Sequence, residues 1–184
     1  MAGDALLVVD LQNDFCPGGA LGIHDGDRVI PILNKYIAAA QRHGIPVFAS
    51  RDWHPANHIS FKNRGGRWPV HCVQNTPGAK FHPDVLLPAD VQIISKAHTP
   101  DLESYSAFGD TDLLPLLRAK GIRRLWIGGL AQDYCVLQTS LDALKDGLEV
   151  IVIVDATRAV DIRDGKKALQ QIRNAGGVLQ GTAA

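Results

Sequence analysis

The sequence predicts an α/β fold in which a mostly parallel sheet of roughly six strands carries helices on both faces. Two features of the sequence indicate this class. Short apolar runs rich in β-branched residues alternate with amphipathic segments of helical period along the 184 residues. The runs are apolar at successive positions, which is typical of parallel strands whose two faces are both buried.

Each apolar run leads through a polar loop into a helix that a glycine ends, and then into the next run. The strands are predicted over residues 5–9, 46–50, 91–95, 124–127, 149–154 and 178–180. The helices are predicted over about 27–43, from Leu113 to Gly121, from Cys135 to Gly147 and over about 163–175. No repeat or low-complexity segment divides the chain, so we expect a single domain over residues 1–184.

One long segment, about 52–89, does not follow this alternation of strands and helices. It is rich in Pro, Gly, His, Asn and Arg and has few apolar residues in period. A segment of this length without regular structure is usually functional or disordered. Its aromatic residues and four histidines are untypical of disorder, so we predict an ordered loop that contributes to a binding site.

The overall composition argues against several functional classes. Lysine and arginine number 19, aspartate and glutamate also number 19, and no run of like charge stands out. We therefore expect no nucleic-acid partner and no membrane association. The three cysteines, Cys16, Cys72 and Cys135, are odd in number and far apart, which favours a reducing compartment. Without a basic, apolar leader at the N-terminus, the sequence predicts a soluble, cytoplasmic protein.

Four polar residues stand at or just after the ends of different apolar runs: Asp10, Asp52, Lys96 and Cys135. The carboxyl ends of parallel strands meet at one edge of a sheet, and ligands bind at that edge where the strand order reverses. We therefore expect these four chemically complementary groups to lie together.

Cys135 follows an apolar run and a pair of glycines, at the point where helical spacing begins. The free N–H groups and the dipole of a helix N-terminus favour a thiolate and could hold the oxygen of a carbonyl under attack. Asp10 could take the thiol proton and return it to a departing amine, while Lys96 could stabilise the thiolate. The alternatives stay open at this stage: a small buried cysteine, a loop-capping aspartate and a solvated lysine.

A second group, Asp52-x-His54 with His58 and His71 further along, suggests a metal site. Carboxylate and imidazole are the usual ligands of zinc, iron and manganese, and three protein ligands with open positions are typical of a catalytic site. Residues two apart on an extended segment face the same side, so Asp52 and His54 could share one ion. Alternatively, His54 and His58 shape a turn and His71 is an ordinary loop histidine.

A third group is aromatic. Phe15, Trp68, Tyr105 and Tyr134 all lie near predicted strand ends or in the long loop. Together they could form a narrow slot for a planar ring, although ordinary packing is the alternative for each of them. Cys16 and Cys72 carry no such signal, and no phosphate-binding glycine motif follows the first strand.

Five separated motifs, which span essentially the whole chain in order, resemble the nicotinamidases of the isochorismatase-like cysteine hydrolase family. They are Val9-Asp10-Leu11-Gln12-Asn13-Asp14-Phe15, Arg51-Asp52-Trp53-His54-Pro55, Trp68-Pro69-Val70-His71-Cys72, the strand end at Lys96, and Gly128-Gly129-Leu130-Ala131-Gln132-Asp133-Tyr134-Cys135-Val136.

The resemblance implies a Rossmann-like, three-layer α/β/α domain that hydrolyses nicotinamide to nicotinate and ammonia, a step of NAD salvage, and that also accepts pyrazinamide. It implies that Cys135 is the nucleophile, Asp10 the base and proton shuttle, and Lys96 the third catalytic residue. The backbone N–H groups of Ala131 and Cys135 would form the oxyanion hole, and the Leu130–Ala131 peptide bond would be cis.

The resemblance also assigns the binding residues. Asp52, His54 and His71 match the ligands of a divalent metal ion, with zinc the first choice and iron or manganese the alternatives. Phe15 and Trp68 match the pair that stacks on the substrate ring, with Tyr105 and Tyr134 as further substrate-binding residues. The spacing of His58 differs from that of the fourth histidine ligand of some relatives, and Tyr134 stands where some relatives carry His. Self-association among such relatives suggests that this protein is a homo-oligomer.

Two further hypotheses remain open on the sequence alone. One is another hydrolase of this fold, acting on a different small amide or working without a metal; the Asp52, His54 and His71 set argues against the metal-free case. The other is a ligand-binding or thiol-sensing protein without turnover.

Overall fold

The computed structural model describes residues 3–181 and has one sheet at its centre. Six strands pair in parallel in the order β3-β2-β1-β4-β5-β6. They are β1 (Asp4–Val9), β2 (Val47–Asp52), β3 (Gln92–Lys96), β4 (Arg124–Leu130), β5 (Glu149–Arg158) and β6 (Val178–Gln180). The predicted α/β class is confirmed, and the sheet is parallel throughout.

In the described part of the chain, residues 3–181, four α-helices cover the two faces of the sheet. They are α1 (Ile30–Arg42), α2 (Leu113–Ala119), α3 (Leu137–Lys145) and α4 (Ile162–Asn174). Successive β1 side chains alternate between two buried clusters, so that Leu7 packs with helices α2, α3 and α4 while Leu6 packs with α1 and the long loop. None of the helices between residues 3 and 181 combines the length and hydrophobicity that a bilayer crossing requires.

Several element boundaries differ from the predicted ones; β4, for example, ends at Leu130 rather than at residue 127. The helix expected from about residue 27 begins as a 3₁₀ turn, Gly26–Val29, before α1. The helix expected from Cys135 begins with a single π-helical turn, Gln132–Val136, before α3. Strand β5 runs four residues beyond the predicted end at 154, because a register shift lets its last residues pair again with the end of β4.

The segment between β2 and β3 is ordered without regular elements, as predicted. Within the described chain it contains only two 3₁₀ turns, Lys62–Arg64 and Pro77–Ala79, and isolated bridges. The bridges join Gln12 to Phe81, His54 to Val73 and Phe61 to Trp68. This segment folds over the carboxyl edge of the sheet.

The strand order reverses between β1 and β4, because the chain places β2 and β3 on one side of β1 and returns to form β4 on the other. In open α/β sheets this reversal leaves a crevice at the carboxyl edge, where ligands bind. Asp10 follows β1 and Cys135 follows β4, so both lie beside that crevice.

Candidate active site

The carboxyl edge of the sheet brings together the four polar groups that the sequence singles out. Lys96 Nζ lies 3.1 Å from Asp10 Oδ2 and 3.6 Å from Cys135 Sγ, and it donates a hydrogen bond to Asp52 Oδ1. Ligand atoms of Asp10, Asp52 and Cys135 all lie within 4.8 Å of one another. Asp10 and Lys96 are completely buried. The ammonium is therefore shared between two carboxylates and the sulfur.

The buried setting determines which of these groups are charged. Burial raises the pKa of the Asp10 carboxyl, and the Lys96 ammonium only partly offsets that rise. Burial disfavours the charge of Lys96, but Asp10 and Asp52 outweigh it and raise the pKa of the amine well above its usual value. Burial also raises the pKa of the Cys135 thiol, although Lys96 opposes it. Lys96 is therefore an ammonium.

The expectation that a helix start would ionise the thiol is wrong for the protein without substrate. Cys135 is only 5% exposed, and burial raises the pKa of its thiol, with Asp10 and Asp52 adding to the rise and Lys96 opposing it. The sulfur is a neutral S–H that needs a base before it can attack. Asp10 Oδ2 is suited to that role, since this buried oxygen faces the Lys96 ammonium at 3.1 Å, and a hydrogen bond between the Asp10 and Cys135 side chains contributes to the pKa of both groups.

The turn that carries Cys135 depends on close contact between β4 and β1. Gly129 has φ +133°, and a Cβ there would lie 2.0 Å from the carbonyl oxygen of Val9. Only glycine allows this approach. The Leu130–Ala131 peptide bond that follows is cis, as the resemblance implies. Ala131 and Cys135 both line the pocket below this turn, and their role as an oxyanion hole stays a prediction.

The structure brings the three predicted metal ligands together. Ligand atoms of Asp52, His54 and His71 lie within 4.8 Å of one another, and all three residues are buried. His54 Nε2 lies 3.4 Å and His71 Nε2 3.9 Å from Asp52 Oδ2. Burial alone would raise the pKa of the Asp52 carboxyl, but Lys96 and His54 hold it well below its usual range. Asp52 is therefore ionised, as a metal ligand must be.

Both imidazoles are oriented by backbone carbonyls. His54 Nδ1 lies 3.1 Å from Ala97 O, and His71 Nδ1 lies 2.7 Å from Pro69 O. Because a carbonyl only accepts, each Nδ1 carries the hydrogen and each Nε2 faces Asp52. This is the usual support for histidine ligands, so the residues present fit a divalent ion.

His58 stands behind His54 rather than among the ligands. The two rings stack with their centroids 4.2 Å apart. Its Nδ1 lies 2.7 Å from Ser60 Oγ, and its Nε2 lies 3.0 Å from Leu102 O. Since both ring nitrogens are already engaged, His58 supports the ring of His54 from behind.

The four predicted aromatic residues line one narrow slot that reaches Cys135 and the ligand set. The Phe15 ring lies 5.6 Å from that of His71, and the Trp68 ring lies edge-on to Tyr134 at 5.1 Å. Trp68 Nε1 donates a hydrogen bond of 3.0 Å to Tyr105 Oη, which fixes the indole plane. A flat ring fits a slot of this kind.

Comparison with known proteins identifies the family. Residues 4–184 match the isochorismatase domain. The chain belongs to this family. A nicotinamidase of Escherichia coli (strain K12) is 43% identical to it, over 95% of this chain and 93% of the relative.

Solved structures of family members resemble this isochorismatase-domain chain closely. The crystal structure of pyrazinamidase of Pyrococcus horikoshii in complex with zinc has TM-score 0.95 and 50% identity, and covers 98% of this chain and 99% of that one. The crystal structure of PnC1 from L. infantum in complex with nicotinate has TM-score 0.88 and 36% identity, and covers 97% of this chain and 92% of that one. The resemblance stated from the motifs is confirmed.

Sequence reasoning missed the role of Gln12 in this isochorismatase-domain site. Its buried amide donates to Asp52 O at 2.7 Å and to Ala79 O at 2.9 Å, and it accepts from Asp52 N at 2.7 Å. Gln12 therefore fixes the backbone of a metal-ligand candidate from both sides. Its position inside the first motif was the available signal, but nothing in the motif names its partner.

Asp14, in the same motif, fixes the loop beside His71. Its carboxylate accepts hydrogen bonds from Ala20 N at 3.2 Å and from Cys72 N at 2.7 Å. A Cβ on Gly78 would lie 2.2 Å from Asp14 Oδ2, so this carboxylate needs a glycine beside it.

Two other polar residues at the site were not predicted. Ser50 Oγ donates a 2.7 Å hydrogen bond to Asp10 Oδ1, which leaves Oδ2 toward the sulfur. Glu103 lines the slot, and burial raises the pKa of its carboxyl. Ser50 lies within a strand and Glu103 within an irregular segment, so neither stands out by pattern.

Proposed function

We propose that this chain hydrolyses the carboxamide of nicotinamide and releases nicotinate and ammonia, which makes it an enzyme of NAD salvage. The observation that carries the proposal is the meeting of Cys135, Asp10 and Lys96 at the end of a narrow aromatic slot. The relative from E. coli is a nicotinamidase, and the L. infantum protein was crystallised with nicotinate. Both support a pyridine ring as the occupant of the slot.

In the first step the thiol proton of Cys135 passes to Asp10 Oδ2 as Sγ attacks the carboxamide carbon and forms a C–S bond. Lys96 stabilises the charge during this transfer, because its ammonium contacts both the carboxylate and the sulfur. The backbone N–H groups of Ala131 and Cys135 would bind the oxygen that becomes negative, which is worth on the order of 3 kcal/mol of barrier for each donor.

The tetrahedral intermediate then collapses. The C–N bond breaks while protonated Asp10 gives its proton to the departing nitrogen, so that ammonia leaves and Cys135 holds a thioester. Water next attacks the thioester carbon, with Asp10 taking a proton from it. The C–S bond breaks and Asp10 returns its proton to the sulfur, and the new carboxylic acid loses its proton to solvent and leaves as nicotinate.

We infer that Asp52, His54 and His71 hold a divalent ion, with zinc as the first choice. The zinc complex of the P. horikoshii relative supports this choice. The charge of the site supports it too, since two buried carboxylates face one ammonium. When bound, the ion would supply positive charge that attracts the ring nitrogen and orients the ring.

Phe15 and Trp68 would hold the two sides of the ring, and Tyr105 and Tyr134 would close its edge. Pyrazinamide has the same planar shape as nicotinamide and differs only by a second ring nitrogen, so we infer that it is also a substrate. A thiol sensor is a poorer fit, because sensor thiols have low pKa values and are accessible, whereas Cys135 is buried.

Ammonia release from nicotinamide by the purified protein, with metal analysis of the same preparation, tests the proposal. We expect turnover together with a bound divalent ion. Intact, metal-loaded protein that releases no ammonia from nicotinamide would overturn it.

A further inference from the structure

A second cavity of about 370 Å³ lies next to the aromatic slot, between the end of β5 and the start of α4. Thr157, Arg158, Ile162 and Gly165 are among its lining residues. Among the residues that the structure describes, only Val160 lines both this cavity and the slot. Val160 therefore borders both spaces, as part of the wall of each.

The strand order places this wall at the end of the slot farthest from the metal-ligand candidates. Along the carboxyl edge, Asp52 ends β2, Cys135 follows β4, and Val160 follows β5. The nucleophile therefore lies between the ligand set and Val160. A ring whose amide reaches Cys135 and whose nitrogen faces the ligand set turns its remaining edge toward Val160.

The turn that carries the nucleophile also fixes the backbone of the wall. Asp133 accepts hydrogen bonds from Val160 N at 2.9 Å and from Asp161 N at 3.0 Å. Its neighbour Gln132 donates to Gly165 O at 3.0 Å and accepts from Thr157 Oγ1 at 3.2 Å. Because these side chains come two and three residues before the sulfur, the distance between wall and sulfur is set by one rigid turn.

The side chain of Val160, in contrast to its backbone, has space behind it. Val160 is 47% exposed, whereas Phe15 across the slot is 6% exposed and is packed into the core. We therefore expect that removing atoms from Val160 widens the slot toward the second cavity without opening a hole in the core.

We propose that Val160 is a specificity-determining residue, which sets the largest ring substituent that the slot accepts. This inference rests on the proposed function and extends its substrate class. With Val160 the site selects unsubstituted pyridine carboxamides; with a smaller residue there it accepts alkyl-substituted ones, whose alkyl group enters the second cavity.

The experiment compares kcat/KM for nicotinamide and for its 4-methyl, 5-methyl and 6-methyl derivatives, measured by ammonia release. We expect Val160→Ala to raise the ratio of a methyl derivative to nicotinamide by about tenfold for at least one isomer. Val160→Leu should lower that same ratio. Val178→Ala is the matched control, because Val178 is also an exposed valine (57%) and lines neither the slot nor the second cavity. It should leave all four values within about twofold.

The outcomes separate the two proposals. If the wild-type protein releases no ammonia from nicotinamide, the proposed function fails, and this inference fails with it. If the wild-type protein turns over nicotinamide but all three ratios are unchanged in Val160→Ala, the assignment of Val160 is wrong and the proposed function stands. A shift of equal size in Val178→Ala would also overturn the assignment.

Discussion

The site has two sides. The strand side carries the thiol, carboxyl and ammonium groups, which lie at strand ends. The loop side carries the imidazoles and the indole, which lie on segment 53–91 between β2 and β3. Parallel hydrogen bonding fixes the strand ends relative to one another. The loop side is held by a few polar side chains, chiefly Gln12 and Asp14. The sheet therefore fixes the positions of the reacting groups, whereas the positions of the ligand and ring-binding side chains depend on individual side-chain hydrogen bonds.

The largest effect should come from the strand side. We expect Cys135→Ala to lose at least about 10⁴-fold in kcat, because no other group can form the thioester. Nicotinamide should still bind, since the slot and the ligand set are unchanged. Ammonia release and calorimetric titration measure the two properties. Cys16→Ala is the control, because Cys16 is buried away from the slot and burial raises the pKa of its thiol to about 11. Normal turnover by Cys135→Ala would show that the nucleophile lies elsewhere.

Loss of the Gln12 hydrogen bonds should impair metal binding on the loop side more than the geometry of the strand side. Gln12→Ala leaves the buried N–H and C=O of Asp52 without their partner, which costs about 1–3 kcal/mol of stability. We expect metal affinity to fall by about 10–100-fold, as it does when groups that orient ligands are lost.

Competition with a chelator measures the metal affinity of the Gln12 variant, and urea unfolding measures its stability. Asn13→Ala is the control, since the Asn13 side chain donates to the exposed carbonyl of Pro77 and, within residues 3–181, makes no hydrogen bond to Asp52. Unchanged metal affinity in Gln12→Ala would mean that the Gln12 hydrogen bonds are not required to position Asp52 for metal binding.

Removal of the metal ion by a chelator should weaken substrate binding on the loop side and leave the fold of the sheet unchanged. We expect the KM for nicotinamide to rise about tenfold or more, because the ring loses a strong polar partner. Far-UV circular dichroism should be unchanged, since the sheet is held by its own ladder and two apolar clusters. Stripped protein that binds nicotinamide with full affinity would refute the orienting role of the ion.

The smallest effect should come from one wall of the slot. Trp68→Leu removes an aromatic contact worth about 0.5–1.5 kcal/mol, so KM should rise roughly 2–12-fold with little change in kcat. Trp53→Leu is the matched control, because Trp53 is on the same segment but packs against Arg51 and does not line the slot. Steady-state kinetics of both variants, giving KM and kcat for nicotinamide, test this prediction. Equal effects would mean that Trp68 acts through the loop as a whole.

The same contrast explains how much the sequence could predict. Asp10, Lys96 and Cys135 were placed correctly because hydrophobic runs locate strand ends, and a parallel sheet brings those ends to one edge. The bonds of Gln12 and Ser50 could not be predicted, because each joins residues about 40 positions apart whose pairing depends on strand register. The neutral thiol was missed for a related reason, since burial depends on the loop that covers the site.

The reversal of strand order has a consequence for the newly made chain. Asp10 and Lys96 lie in the part of the chain that precedes α2, and Cys135 lies in the part that follows it. A ribosome that has released only the first part has made the proton acceptor and the cation before the nucleophile Cys135 exists. Until β4 docks beside β1, Cys135 lacks its neighbours and behaves like any other cysteine. Reactivity thus arises late in synthesis, when the two parts of the sheet join.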